Sequence, residues 1–269
     1  VLKKPVKREV MRLTVLNDEV AGICPAEHGL SFLVEADRKI LFDVGPSDIF
    51  KNNALKLGAN LDDIYAIVLS HGHWDHGNGL KFIKNKKLIC HPGCFTKRYR
   101  KKDNSYVGLP FTLEEAGESF DLVLSREPCD ISNRITFLGE IPRKNDFEAK
   151  STSFVFEDGK DDFVMDDSAL VIKSNQGIVI VAGCSHSGIC NIIEYAKKVT
   201  GIKKVHAIIG GFHLKEADAI TLKTIAYLKK QNIDKILPSH CVSLPVIKLF
   251  EKELGAMRVH SGDTINFES

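Results

Sequence analysis

Four side chains able to bind a metal ion fall within six residues, His71-Gly-His73-Trp-Asp75-His76. Neutral imidazoles and carboxylates are ligands for zinc, iron or manganese, and a tight turn can aim His71 and His73 at one ion while Asp75 and His76 face a second. Three His and an Asp at this density, in a chain with 10 histidines overall, do not read as unrelated surface residues. A structural zinc site usually closes its shell with cysteine pairs, whereas a shell rich in His and Asp leaves a position for water. The expected chemistry is therefore catalytic. Two cations lower the pKa of a shared water and stabilise charge on a phosphoryl or acyl transition state, and Asp75 both binds metal and orients the nucleophile.

Three more histidines stand in the same setting, each just beyond an apolar run. Gly183-Cys184-Ser-His186 follows 177–182, Gly210-Gly211-Phe212-His213 follows 205–209, and Pro238-Ser-His240-Cys241 follows 235–237. One such His is more often structural than catalytic; three of them shift the balance. His186 is the candidate third ligand of the first ion and His240 of the second. The glycines permit close backbone approach, so Gly211, Phe212 and His213 are candidate substrate contacts, with His213 a donor to a substrate oxygen.

The elements that must present these groups are short strands and helices in alternation. The run 64–70 before the metal loop is apolar and rich in β-formers, a buried strand whose carboxyl end carries the ligands, where open α/β sheets place their sites. Strands are also expected at 12–16, 30–35 and 39–43, and a helix at 48–57 with Asp48 near its start and Gly58 after its end. Later come a hairpin of 168–173 with 177–182, strands at 205–209 and 235–237, and helices at 189–199, 217–230 and 246–254. From 92 to about 150 the pattern loosens into an expected rim or insertion on a single domain spanning 1–269. Its basic cluster Lys97-Arg-Tyr-Arg-Lys-Lys102 reads as a solvated face that could also attract an anionic substrate. Cys90-His-Pro-Gly-Cys94 reads as a strand end and a Pro-Gly turn.

Composition narrows the function classes. With 37 basic and 35 acidic residues the formal net charge is +2, so no global field argues for nucleic acid or membrane as partner, and a small anionic molecule is expected instead. No apolar run approaches a membrane span, and VLKKPVKREVMRL at the N-terminus lacks the apolar core of a signal peptide. Seven cysteines without a small-domain disulfide spacing fit reduced thiols, so a cytoplasmic location is expected.

Leu41-Phe-Asp43-Val-Gly45, the HxHxDH loop, Gly-Cys-Ser-His186 and the late His240 together resemble the metallo-β-lactamase superfamily of metal-dependent hydrolases. His28-Gly-Leu-Ser31, Gly139-Glu-Ile-Pro-Arg143, GCSHSGI, GGFHL and Pro-x-His-Cys resemble the branch that holds the archaeal dihydropterin-6-methyl-ribofuranosylaminobenzene-phosphate synthases. The resemblance implies a four-layer αββα sandwich with two divalent metals, zinc first and manganese or iron as alternatives. It implies His71, His73 and His186 around one ion, Asp75, His76 and His240 around the other, and Asp43 behind them orienting a ligand His. Two departures stand out. Cys184 occupies the place of a bridging Asp, leaving thiolate, water, Asp166 or Asp167 as the bridge, and Val242-Ser243 replaces the branch's Thr-Gly. The main expectation is a dinuclear hydrolase acting on a phosphate or other ester. The alternative is a transferase that activates a dihydropterin-methyl diphosphate toward ribofuranosylaminobenzene phosphate. A di-iron redox protein, whose relatives carry Glu where His73 stands, and a non-catalytic binding protein fit less well. Phe212, Trp74 and Tyr106 are candidate walls for a pterin, though each also suits ordinary packing.

Overall fold

The computed structural model describes residues 11–267; the first ten residues of the N-terminal run VLKKPVKREVMRL lie outside them. In chain order the first half comprises β1 (Met11–Asn17), β2 (Ser31–Glu35), β3 (Lys39–Phe42), α1 (Ile49–Lys56), β4 (Ala66–Val68), α2 (Trp74–Gly77), β5 (Lys86–Cys90), β6 (Arg98–Arg100), α3 (Leu113–Ser119) and β7 (Phe120–Leu124). Next come β8 (Cys129–Asp130), β9 (Ile135–Phe137), β10 (Phe154–Phe156), β11 (Asp161–Asp162), β12 (Ala169–Ser174) and β13 (Gly177–Ala182). The chain finishes with α4 (Ile189–Thr200), β14 (Val205–Gly211), α5 (Ala219–Gln231), β15 (Lys235–Ser239), α6 (Leu244–Leu254) and β16 (Thr264–Phe267).

Two large sheets result, one in the order β16-β1-β2-β3-β4-β5-β7 and one in the order β15-β14-β13-β12-β9-β8, with a small sheet β11-β10-β6 beside them. Their strands read as unbroken apolar runs because both faces are covered. In β13, Val179 and Val181 pack into the core between the sheets, while Ile178 and Ile180 face the helices on the other side. Ile40 and Phe42 of β3 likewise point inward and Leu41 outward, toward Phe50 and Ala54 of α1. The second sheet's outer face is covered by α4, α5 and α6 through Ile192, Ile193, Ile225, Leu228, Ile247 and Phe250. Helix, sheet, sheet, helix is the four-layer αββα sandwich expected. No helix of the described residues is long and apolar enough to cross a membrane.

The sandwich gathers the chemistry at one edge. β3 and β4 are parallel neighbours, as are β13, β14 and β15, so Asp43, the 70–76 loop, Cys184 to His186, His213 and His240 all leave strand carboxyl ends. The segment 92–150 is redrawn by the structure. β7 is the edge strand of the first sheet and β8 and β9 pair into the second, leaving only β6 of its strands in the small sheet with β10 and β11. β6, β8 and β9, of two or three residues, give too few alternating positions for period 2 to be read, and the five residues of β7 do not alternate in burial, which is why this stretch looked irregular. Helix α3 carries a capping box, Thr112 with Glu115, that the looser reading passed over.

Phe137 of β9 is fully buried between the sheets. Phe137→Ala is expected to cost about 3–5 kcal/mol as a core truncation, read as a lower urea midpoint. A near-neutral result would return this strand to a peripheral rim.

Candidate metal centre

The centre is built outward from Asp43. Its carboxylate is fully buried and accepts from Ser70 N at 2.7 Å, from Ser70 Oγ at 2.7 Å and from His76 Nδ1 at 2.7 Å. A carboxylate on Nδ1 fixes the tautomer and leaves Nε2 to bear the lone pair. His76 Nε2 stands 3.3 Å from Cys184 Sγ and 3.2 Å from His240 Nε2. The same logic orients His71. Ser70 Oγ, whose hydrogen goes to Asp43, lies 2.8 Å from His71 Nδ1, so Nδ1 donates and Nε2 is free, 2.9 Å from His73 Nδ1.

Three sets of ligand atoms converge among the described residues, each with its members within 4.8 Å of one another: His71, Cys184 and His186; His76, Cys184 and His240; and, more exposed, Glu19, His28 and His240. Cys184 belongs to the first two. The ring of His73 stands 4.6 Å from that of His71 and 4.9 Å from that of His186, while Asp75 Oδ2 is 3.3 Å from His240 Nε2 and 3.8 Å from His76 Nε2. The six residues expected to hold metal thus stand close together, His73 beside His71 and His186, and Asp75 beside His76 and His240. Of the bridging candidates, Asp166 is engaged elsewhere through both oxygens, accepting from Gly72 N and Arg98, and Asp167 accepts from Ser187 N and Oγ through Oδ2, its Oδ1 being buried without a partner. Cys184 is the one that stands between the groups.

The donor set fits a metal. His186 Nε2 is buried without a hydrogen-bond partner, a costly state for a polar atom that does not keep its lone pair for a cation, and His73 turns Nδ1 toward Nε2 of His71. Burial holds His71, His73 and His186 well below the ordinary imidazole range, the neutral form that ligation requires. Burial opposes ionisation of Asp75, but His76, His240 and His28 outweigh it and hold its carboxyl well below the carboxylate range. Burial likewise opposes the charge on His240, and Asp75 and Glu19 outweigh it to raise its pKa.

Asp43, Ser185, His213 and His240 all adopt left-handed backbone, with φ of 54°, 58°, 47° and 45°. Each costs on the order of 1 kcal/mol or more for an L-residue, and their concentration at one edge is the pattern of strain held at a working site. Gly183 is required for another reason, since a Cβ there would stand 2.1 Å from Ser70 Oγ.

A cavity of about 250 Å³ adjoins the histidines, its walls including Ser151, Ser153, Phe154, His186, Phe212 and His213. The His213 ring lies 4.4 Å from that of His186, and its backbone N–H donates to Cys241 Sγ at 3.2 Å. Burial lowers the pKa of His213. Gly211 lies behind this wall, bonded through N to Gly183 O and through O to Ser185 Oγ. Trp74 stands on a different side, against His28, and Tyr106 is bonded to Leu109 O, so neither joins Phe212 around this cavity.

Glu19, Ser70 and Arg98 were not singled out from the sequence. Glu19 Oε1 lies 2.7 Å from His28 Nδ1 and 3.1 Å from His240 Nδ1. It follows β1 as the other site residues follow their strands, and that signal could have found it. Arg98 was submerged in a basic cluster read as solvated. Lys97, Arg100, Lys101 and Lys102 are exposed, but Arg98 is buried to 1% and paired with Asp166 and Asp162.

His71→Ala or His186→Ala is expected to lower bound metal, measured by elemental analysis, whereas His213→Ala leaves metal content unchanged and lowers turnover. Metal lost with His213 would make it a ligand. His28 lies between Asp75 and Glu19, which raise its pKa to about 9. A raised folded-state pKa stabilises fully below the unfolded value of about 6.5 and the effect fades as pH passes about 9. In chelator-treated protein, His28→Gln should therefore lower stability at pH 6 and converge on the parent by pH 10. A gap that widens with pH would reverse that sign.

Residues 25–128 match the model of the metallo-beta-lactamase superfamily. The chain is 36% identical, over 97% of its length and 98% of the relative's, to the 7,8-dihydropterin-6-methyl-4-(beta-D-ribofuranosyl)-aminobenzene-5'-phosphate synthase of Methanocaldococcus jannaschii. An uncharacterised protein of the same organism is 36% identical over 82% of this chain and 86% of its own. Among solved structures, Tm1679, a metal-dependent hydrolase of the beta-lactamase superfamily, superposes with a TM-score of 0.87 at 28% identity, covering 96% of this chain and 100% of that one. The sandwich, the paired histidine groups at its edge and the end-to-end likeness to these relatives make the chain a member of the metallo-β-lactamase superfamily.

Proposed function

We propose that the protein is a metal-dependent transferase that joins a dihydropterin-methyl diphosphate to a ribofuranosylaminobenzene phosphate. The observation that carries this reading is the 36% identity to the archaeal synthase along nearly the whole of both chains. Two divalent ions, zinc in the first place and manganese or iron otherwise, would be held by His71, His73 and His186 and by Asp75, His76 and His240. Cys184 would lie between them. Bound there, the ions would supply positive charge to offset that of a diphosphate leaving group.

The chain's own residues then have separate tasks. Asp43 and Ser70 hold His76 and His71 with Nε2 facing the centre. Asp75 contributes a carboxylate kept ionised by its three histidine neighbours. His213, on the cavity wall beside His186, donates to an oxygen of the leaving diphosphate. Phe154 and Phe212 give apolar wall to the cavity that receives the organic part of the substrate. In the reaction the acceptor nitrogen forms a bond to the pterin methylene carbon, the carbon–oxygen bond breaks, diphosphate departs with the electron pair, and the nitrogen's proton passes to the medium.

Hydrolysis of a phosphate or other ester is the second reading, favoured by the likeness to Tm1679. The same residues serve it, with water in place of the acceptor. Diphosphate release from the pterin substrate, assayed anaerobically with metal-replete protein, separates the two. Release that requires the aminobenzene acceptor and yields a coupled pterin supports the transferase. Equal release without acceptor supports the hydrolase, and no release overturns the pterin reading.

A further inference from the structure

Arg98 is the largest fully buried side chain among the described residues, and it is charged. Its Nη2 donates to Asp166 Oδ1 at 2.8 Å and to Gly93 O at 2.9 Å, and its Nε stands 3.3 Å from Asp162 Oδ2. Asp166, buried to 2%, turns its other oxygen to the backbone N–H of Gly72 at 2.8 Å. Gly72 is the residue between His71 and His73. A side chain there is excluded, because its Cβ would fall 1.9 Å from Cys94 O.

Burying a guanidinium and two carboxylates carries a large desolvation penalty, and apolar packing of similar volume often serves stability as well or better. Such a group is therefore worth explaining by what it orients. Asp166 fixes the N–H of Gly72 and with it the plane of the His71–Gly72 peptide. That plane sets how the two imidazoles diverge from one turn. Arg98 in turn fixes Asp166, and is itself carried on β6 of the small sheet, whose middle strand β10 lays Phe154 4.5 Å from the His73 ring.

We propose that Arg98, acting through Asp166, is a positioning residue for the metal centre, and that the small sheet β11-β10-β6 serves to hold the His71–His73 turn in its ligating form. The inference rests on the reading of His71, His73 and His186 as metal ligands. Asp162 supplies an internal control, since it pairs with Arg98 but its Oδ1 accepts from Val164 N, while Gly72 N donates to Asp166.

The test is cobalt(II) titration of the full chain after metal removal, following both affinity and the visible d–d spectrum, for the parent, D166N, R98K, R98M and D162N. Circular dichroism and melting in chelator establish that each variant folds. D166N and R98M are expected to bind cobalt roughly 10–100-fold more weakly, the range seen for residues that orient ligands, with an altered d–d spectrum. R98K should lie closer to the parent, and D162N within about threefold of it. If R98M does not fold, D166N and R98K carry the comparison. Folded D166N and R98K with the parent's affinity and spectrum would overturn the proposal. So would D162N weakening cobalt as much as D166N, because the effect would then be general loosening. A parent chain that binds no cobalt would sink the metal reading itself and this inference with it.

Discussion

A buried carboxylate cannot be left short of hydrogen bonds, and Asp43 meets that demand by gripping Ser70 twice and His76 once. Hydrogen bonds to an ionised acceptor are the strong kind, and these three join the end of β3 to the end of β4 and to the first turn of α2. Everything nearer the centre follows from them. With Nδ1 of His76 committed to Asp43, its Nε2 must face Cys184 and His240. With the Ser70 hydroxyl committed to Asp43, its oxygen is left to accept from His71. The backbone at Asp43 pays for this with a left-handed conformation, which the packed cores on both sides of β3 sustain.

The second half of the chain brings its ligands to the same place by a similar device. β13, β14 and β15 run parallel, so Cys184, His213 and His240 emerge side by side. Contact between the halves is set by the absence of a side chain. Gly183 lets Ser70 Oγ approach to where a Cβ would be 2.1 Å away, and one further residue brings Cys184 between the two histidine groups. The two sheets alone bring these loops to a common edge. The close approach at Gly183 turns a shared edge into a shared site.

The metal groups and the cavity beside them have different physical characters. Most of the histidines are buried, and His71 and His76 are tied through Ser70 and Asp43 to the ends of β3 and β4, so their placement is decided by the fold. The cavity wall is drawn from 151–154, β10 and the loop after β14, segments outside the regular hydrogen-bonding of the two large sheets. The histidine groups are thus carried by elements common to the sandwich, whereas the cavity wall is carried by segments outside it, and fold alone does not choose a substrate.

The HxHxDH spacing determined from sequence alone that a metal site was expected, and the strand-end positions of His186 and His240 singled out two distant residues that the fold brings beside it. Period and length of the apolar runs determined most strands and helices, because buried strands and amphipathic helices carry repeating patterns. What only the tertiary structure decided has a common physical cause, partnership across long stretches of chain. Arg98 could not be told from its exposed basic neighbours until Asp162 and Asp166 were seen to enclose it. Asp166 was a candidate bridge until Gly72 and Arg98 claimed both its oxygens, and Glu19 had no role until β1 was placed beside His240. The strands of 120–137 were too short or too irregular in burial for period to reveal, and only pairing with β5 and β12 assigned them to the sheets. Spacing along a chain encodes what neighbours can do together, while the pairing of a buried charge depends on which distant residues the fold brings to it.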